Sequence, residues 1–340
     1  IAPKAKPLRT VPKLRGRKPA ELVGFLSSPN GTVRDMAHRF IIESSDASVA
    51  GQLTQILSQA DLPQARLHAL AILDGLGKLD AEKLGQVLAD KHPYVRRLAF
   101  RLAEKFPDKG DYFAQFFDFE SALKFSGYEP KLMLQQLFTA GFFPDKEIGE
   151  SLGRFLSERF EKIRFPYFEA ALLSSAHTHY DHLLLASSST EAIFEQLMRM
   201  GVKKNQAALS EKLDSVWENT KPEDLFRVAK LWMSVLAKAG VHLAGLEEAG
   251  FPGQTAKLKS VLMEAERVSL GSGASLRIRS AAIEALSRGG ELHDSVMLTL
   301  GKLIQPIENP DVRYNAITAV GNMTQIDSAR MLLGTWPGLL

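Results

Sequence analysis

Apolar residues recur along this chain at the spacing of a single helix face, and the runs come in pairs. Val33, Met36, Ala37, Phe40 and Ile41 follow the i, i+3, i+4, i+7, i+8 rule, which leaves one apolar stripe that a neighbouring element must cover. Leu22, Val23, Phe25 and Leu26 give a shorter stripe just before it, and Ser28-Pro29-Asn30-Gly31 separates the two. The same alternation predicts helices over Ala50 to Gln59 and after Leu62-Pro63, then over Ala81 to Ala89 and from Pro93. Proline suits a first helical position, where a missing N–H costs nothing. Further helical patterns fall near 190 to 200, 204 to 218, 222 to 239 and 253 to 269, with Pro222 just inside one start and Gly240 just past its end. Alternation of the strand type is missing over any useful length, so the fold class is all-α.

A short signature marks the second helix of each pair: an apolar or small residue, Arg, two residues, then Ala. It reads Val33-Arg34 with Ala37, Ala65-Arg66 with Ala69, Val95-Arg96 with Ala99, Ile278-Arg279 with Ala282, and Val312-Arg313 with Ala316. The first three arginines are 32 and 30 residues apart and the last two are 34 apart. That period belongs to stacked helix pairs, in which each pair packs only on its neighbours. Met133 and Phe168 fall where the period calls for Arg, and 111 residues separate Phe168 from Arg279. The expected architecture is a right-handed α-solenoid over 19–340, whose repeat resembles those of HEAT/armadillo-like proteins. Each Ala, on the Arg's face of the helix, lets helices approach closely. Each Arg has five donors suited to bridging turn carbonyls or an acidic residue of the next repeat, and the alternative is a basic ladder open to a ligand.

Charge changes this picture at one place. The formal charge is +3, but residues 1–18 hold Lys4, Lys6, Arg9, Lys13, Arg15, Arg17 and Lys18 with no acid. The remainder has 35 basic against 39 acidic residues, a net −4. A slightly acidic body lacks the basic stripe that a nucleic-acid footprint requires, so the arginines read as structural. Pro3, Pro7 and Pro12 forbid a continuous helix in 1–18, which reads as a basic linker or arm.

The signature Pro-x-Val-Arg-x-x-Ala, present as Pro93 to Ala99 and as Pro310 to Ala316, resembles the HEAT repeat. Glu21-Leu22-Val23, Ser28 to Arg39, and Ala65 to Leu70 running into Leu73-Asp74-Gly75-Leu76-Gly77 resemble more specifically the HEAT segment of large membrane-bound dehydrogenase-like proteins of Planctomycetes and Verrucomicrobia. The resemblance is strongest over 20–104. It implies a segment lying between a sugar-dehydrogenase-like propeller and a c-type cytochrome domain, in a periplasmic or otherwise extracytoplasmic protein. Any redox chemistry then belongs to flanking domains, and the chain, which opens on Ile1, reads as a mature or excised segment.

Candidate chemistry is sparse. The chain has no cysteine, which excludes disulfides, thiolate metal sites and covalent haem attachment. His177, His179 and His182 with Asp181 form the densest polar group and are the weak metal candidates. On a helix His177 and His182 lie about 140° apart, so only His179 and His182 share a face. The stretch reads instead as a polar connection followed by a helix from Leu183. The aromatic run Tyr112 to Phe125, including Phe113, Phe116, Phe117 and Phe119, reads as an aromatic helix filling a core. Gly271-Ser272-Gly273 lacks the ending of a phosphate loop and reads as a linker into an N-cap at Ser275. No catalytic residue, cofactor, small-molecule substrate or membrane-spanning segment is expected. The functional expectation is a non-enzymatic scaffold that binds protein, either flanking domains or another chain. The alternative is a HEAT-like nucleic-acid binder of the alkylpurine DNA glycosylase type.

Overall fold

The computed structural model describes residues 11–119, 129–160, 167–188, 192–289, 293–323 and 326–335. Lys4, Lys6, Arg9, Phe125 and the final Trp336 to Leu340 lie outside the described residues. The chain clusters into two compact units, 1–179 and 180–340, each an all-α solenoid segment of stacked helix pairs.

In the first unit the pairs are α1 (Pro19–Val23) with α2 (Gly31–Ser44), α3 (Ala50–Gln59) with α4 (Pro63–Gly75), and α5 (Ala81–Leu88) with α6 (Pro93–Ala103). They are followed by α7 (Gly110–Ala114), α8 (Pro130–Ala140), α9 (Lys146–Arg159) and the first part of α10 (Phe168–Ala186), whose residues from Tyr180 on belong to the second unit. The second helices stack in order, α2 on α4, α4 on α6 and α6 on α8. Prolines stand at the first turn of α1, α4, α6 and α8, and Asn30, Asp80, His92 and Asp145 accept backbone N–H groups as N-caps of α2, α5, α6 and α9. The core of the first repeats joins Leu22, Leu26, Val33, Ala37, Ile41, Leu53, Ala69 and Leu73.

Two sequence expectations are corrected here. The aromatic helix is short: α7 ends at Ala114, and Phe116 lies in the turn beyond it. Phe113, Phe117 and Phe119 are nevertheless buried, packed edge-on or tilted against Phe100, Phe143 and Phe155 with ring centroids 5.2 to 5.9 Å apart. Burial of rings, and not helix continuation, organises this stretch. The expected connection over His177 to His182 is instead helical, inside α10, with one non-helical residue at His179. Its polar groups are satisfied by α8 and the turn that follows it: Ser175 Oγ donates to Leu137 O, Thr178 Oγ1 to Gly141 O at 2.6 Å, and His179 Nε2 to Ala140 O at 3.0 Å.

In the second unit α11 (Ala192–Lys204), α13 (Pro222–Ala239), α15 (Leu276–Leu286) and α17 (Pro310–Gly321) stack successively, while α12 (Gln206–Asn219), α14 (Gln254–Leu270), α16 (His293–Leu303) and α18 (Ile326–Thr335) alternate with them in sequence. Gly240 closes α13 in the left-handed region at φ 74°, as a helix-ending glycine should. Ser275 caps α15, accepting from Ile278 N. Gly201 has a different role. A Cβ there would collide with the Tyr180 hydroxyl and Leu209, so its bare backbone lets α11 approach closely while Tyr180 Oη donates to Leu197 O at 3.1 Å. Among the described residues no helix is long and apolar enough to cross a membrane.

Candidate interaction surface

All five signature alanines, Ala37, Ala69, Ala99, Ala282 and Ala316, are fully buried on the second helices, where any larger side chain would push neighbouring helices apart. The arginines beside them differ. Arg66 is buried and uses its whole fork: Nη1 donates to Ala60 O at 2.6 Å and Asp61 O at 3.0 Å, closing its own leading turn. Nε and Nη2 reach the next repeat, donating to Asp90 Oδ2 at 2.6 Å and Oδ1 at 2.9 Å. Asp90 also accepts His92 N at 2.7 Å, and its carbonyl accepts Arg96 Nη1 at 2.9 Å. One aspartate thus ties two arginines and a helix start together.

Arg279 repeats the arrangement in the second unit. Its Nε donates to Ser269 O at 2.9 Å, and its terminal nitrogens donate to Glu308 at 2.9 and 3.2 Å. Glu308 in turn accepts Asn309 N at 2.8 Å. The hydrogen bonds from Arg279 hold the Glu308 carboxyl below the ordinary glutamate range. Arg34 makes the local contact, Nη1 to Ser28 O at 2.7 Å, and no other side-chain hydrogen bond among the described residues. Arg313 is half-buried and shows no partner among the described residues. Met133 and Phe168, at the Arg position of the intervening repeats, are both buried.

A second set of polar contacts joins the stacked second helices. Lys105 Nζ donates to Asp74, Gln135 and Thr139 donate to Glu104, Lys230 Nζ donates to Glu284, and Asn315 donates to the Ser280 hydroxyl, at 2.6 to 3.0 Å. Lys238 and Glu195 pair at 3.6 Å between α13 and α11. Between α2 and α4 the pair is His38 with His68. No sequence signal marks these pairs, because they join residues 30 to 54 positions apart with no common motif.

His177 is exposed, His182 half-buried and His179 buried against Ala140 O. Among the described residues no three His, Cys, Asp or Glu side chains surround a common point. The described half of the basic arm packs on the first repeat: Leu14 is buried, Arg17 Nε donates to Lys13 O at 2.7 Å, and the Arg17 guanidinium lies 5.1 Å from the Phe25 ring centre. A groove of about 810 Å³ lies beside it, with Leu14, Val33, Met36 and Phe40 in its apolar lining and Arg39 and Glu43 among its charged residues.

No protein-family model and no curated protein matches the chain. Among solved structures, Kap121p is similar at 16% identity over 95% of this chain and 39% of that chain, with a TM-score of 0.49. Kap121p bound to Nup53p gives 15% identity over 89% and 37% with a TM-score of 0.42, and Kap121p bound to Pho4p gives 16% over 89% and 37% with 0.41. The chain spans about two-fifths of the length of these solved chains.

Proposed function

We propose that this chain is a non-catalytic scaffold that binds protein through the surface of its stacked helix pairs. The observation that carries this reading is how the repeat arginines are used. A continuous basic ladder would present free guanidinium groups, whereas Arg66 and Arg279 are buried in bidentate ion pairs that brace one repeat against the next, Arg34 and Arg96 hold turn carbonyls, and of the five Arg313 alone shows no partner among the described residues. The solvent-facing side chains include large apolar groups, Tyr94, Phe142 and Tyr167 in the first unit and Leu298 and Tyr314 in the second, set among charges of both signs. A protein partner suits that mixture better than a phosphate backbone does.

The resemblance of residues 20–104 to the HEAT segment of dehydrogenase-like proteins supports the finer reading: an interdomain scaffold in a larger extracytoplasmic redox protein, with no cofactor of its own. The test is to sequence the full reading frame and to mix this chain with the flanking domains in size-exclusion chromatography. Co-elution with a propeller-like or cytochrome-like domain is expected. Salt-sensitive micromolar binding to duplex DNA at about 100 mM salt, retained after removal of residues 1–18, would overturn the reading in favour of the nucleic-acid alternative.

A further inference from the structure

His38 and His68 occupy register positions that other repeats fill with different chemistry. His38 follows the signature Ala37, and the residues after the other four alanines are Leu70, Phe100, Ile283 and Ile317. His68 precedes Ala69, and its counterparts are Met36, Leu98, Ala281 and Asn315. Stacking of α2 on α4 therefore does not require imidazoles at this contact.

The two rings meet with Nδ1 atoms 3.1 Å apart, centroids 5.2 Å apart and planes at 69°. Burial holds both histidines below their ordinary pKa, against a raising influence from Asp35, and the neighbouring His38 and Arg34 lower His68 further. At 3.1 Å one Nδ1 donates to the other. Asp35 Oδ1 lies 3.6 Å from His68 Nε2, beyond hydrogen-bond reach, so its field and not a hydrogen bond favours a proton on that nitrogen. By this assignment His68 Nδ1 is bare and His38 Nδ1 is the donor. Transfer of the His38 proton to its own Nε2 through solvent leaves two lone pairs 3.1 Å apart. At a metal–imidazole distance of about 2.0–2.1 Å, nitrogens so spaced subtend about 100° at the ion, between the square-planar and tetrahedral values.

We propose that His38 and His68 form a two-imidazole site for a borderline transition-metal ion, with Asp35 holding the His68 tautomer and water completing the coordination. Cu2+ is expected to bind more tightly than Zn2+, as the ordering of divalent ions for nitrogen ligands requires. Bound metal would pin the first two repeats together, and the inference does not depend on the scaffold reading.

The experiment titrates the full chain with Cu2+ and with Zn2+ near neutral pH. One ion per chain is expected, with a Cu2+ paramagnetic resonance spectrum showing two imidazole nitrogens and a melting temperature raised by Zn2+. His38→Gln and His68→Gln should each lower affinity at least about tenfold, and Asp35→Asn by about tenfold, as loss of an outer-shell partner does. His182→Gln should change nothing. Unchanged affinity in both His38→Gln and His68→Gln overturns the site. If either variant fails to fold, the wild-type spectrum decides: absence of two imidazole nitrogens also overturns it.

Discussion

The repeats bearing Arg66 and Arg279 and those bearing Met133 and Phe168 fill one register position in opposite ways. In the first kind a buried guanidinium is paired with a carboxylate from the next turn. In the second a buried apolar side chain fills the same place, and adjacent helices are joined by hydroxyls, as Ser175 and Thr178 join α10 to α8 and the turn beyond it. The repeat therefore needs a long side chain at that point but not a charge. Buried ion pairs are often matched in stability by apolar replacements, whereas loss of one partner is severe. What the Arg adds is connection to one particular neighbour.

That comparison can be broken most forcefully at Arg66. Arg66→Met copies the apolar solution but strands Asp90, and should cost about 3–5 kcal/mol in chemical denaturation. Adding Asp90→Asn should recover part of the loss, and strict additivity of the two changes would remove the strut from the account. Arg279→Met should cost less, about 1.5–3 kcal/mol, because Glu308 is more exposed than Asp90 and can rehydrate. Acid should act more gently. The folded Glu308 carboxyl titrates below its unfolded value, so its contribution is present above about pH 4.3 and is lost as pH falls through the lower folded value. Glu308→Gln should flatten that part of the stability–pH profile. Lys105→Met, at the exposed partner of Asp74, should change stability by less than about 1 kcal/mol.

Much of the frame is legible because it rests on local rules. The helix Ala50–Gln59, the prolines opening α4, α6 and α13, and the buried alanines all follow from spacing and punctuation. The partners of the arginines are not legible: Asp90 stands two residues before its N-cap and Glu308 one before its own, so the carboxylates share no fixed offset. Polarity misled at His177 to His182, since a run of polar residues looks like a connection unless the carbonyls that will accept from it are known. The His38–His68 contact is hidden for the same reason: 30 residues separate two histidines that each look solitary.

The buried struts also have a direction. Arg66 reaches forward to Asp90 and Arg279 forward to Glu308, and each of those carboxylates also accepts the backbone N–H at the start of the following helix. During synthesis the cation is in place before the turn it fastens has been made. A pair added on the C-terminal side finds its anchor waiting, while one added on the N-terminal side must bring its own. A stack built in the order of translation would meet these two anchors already in place.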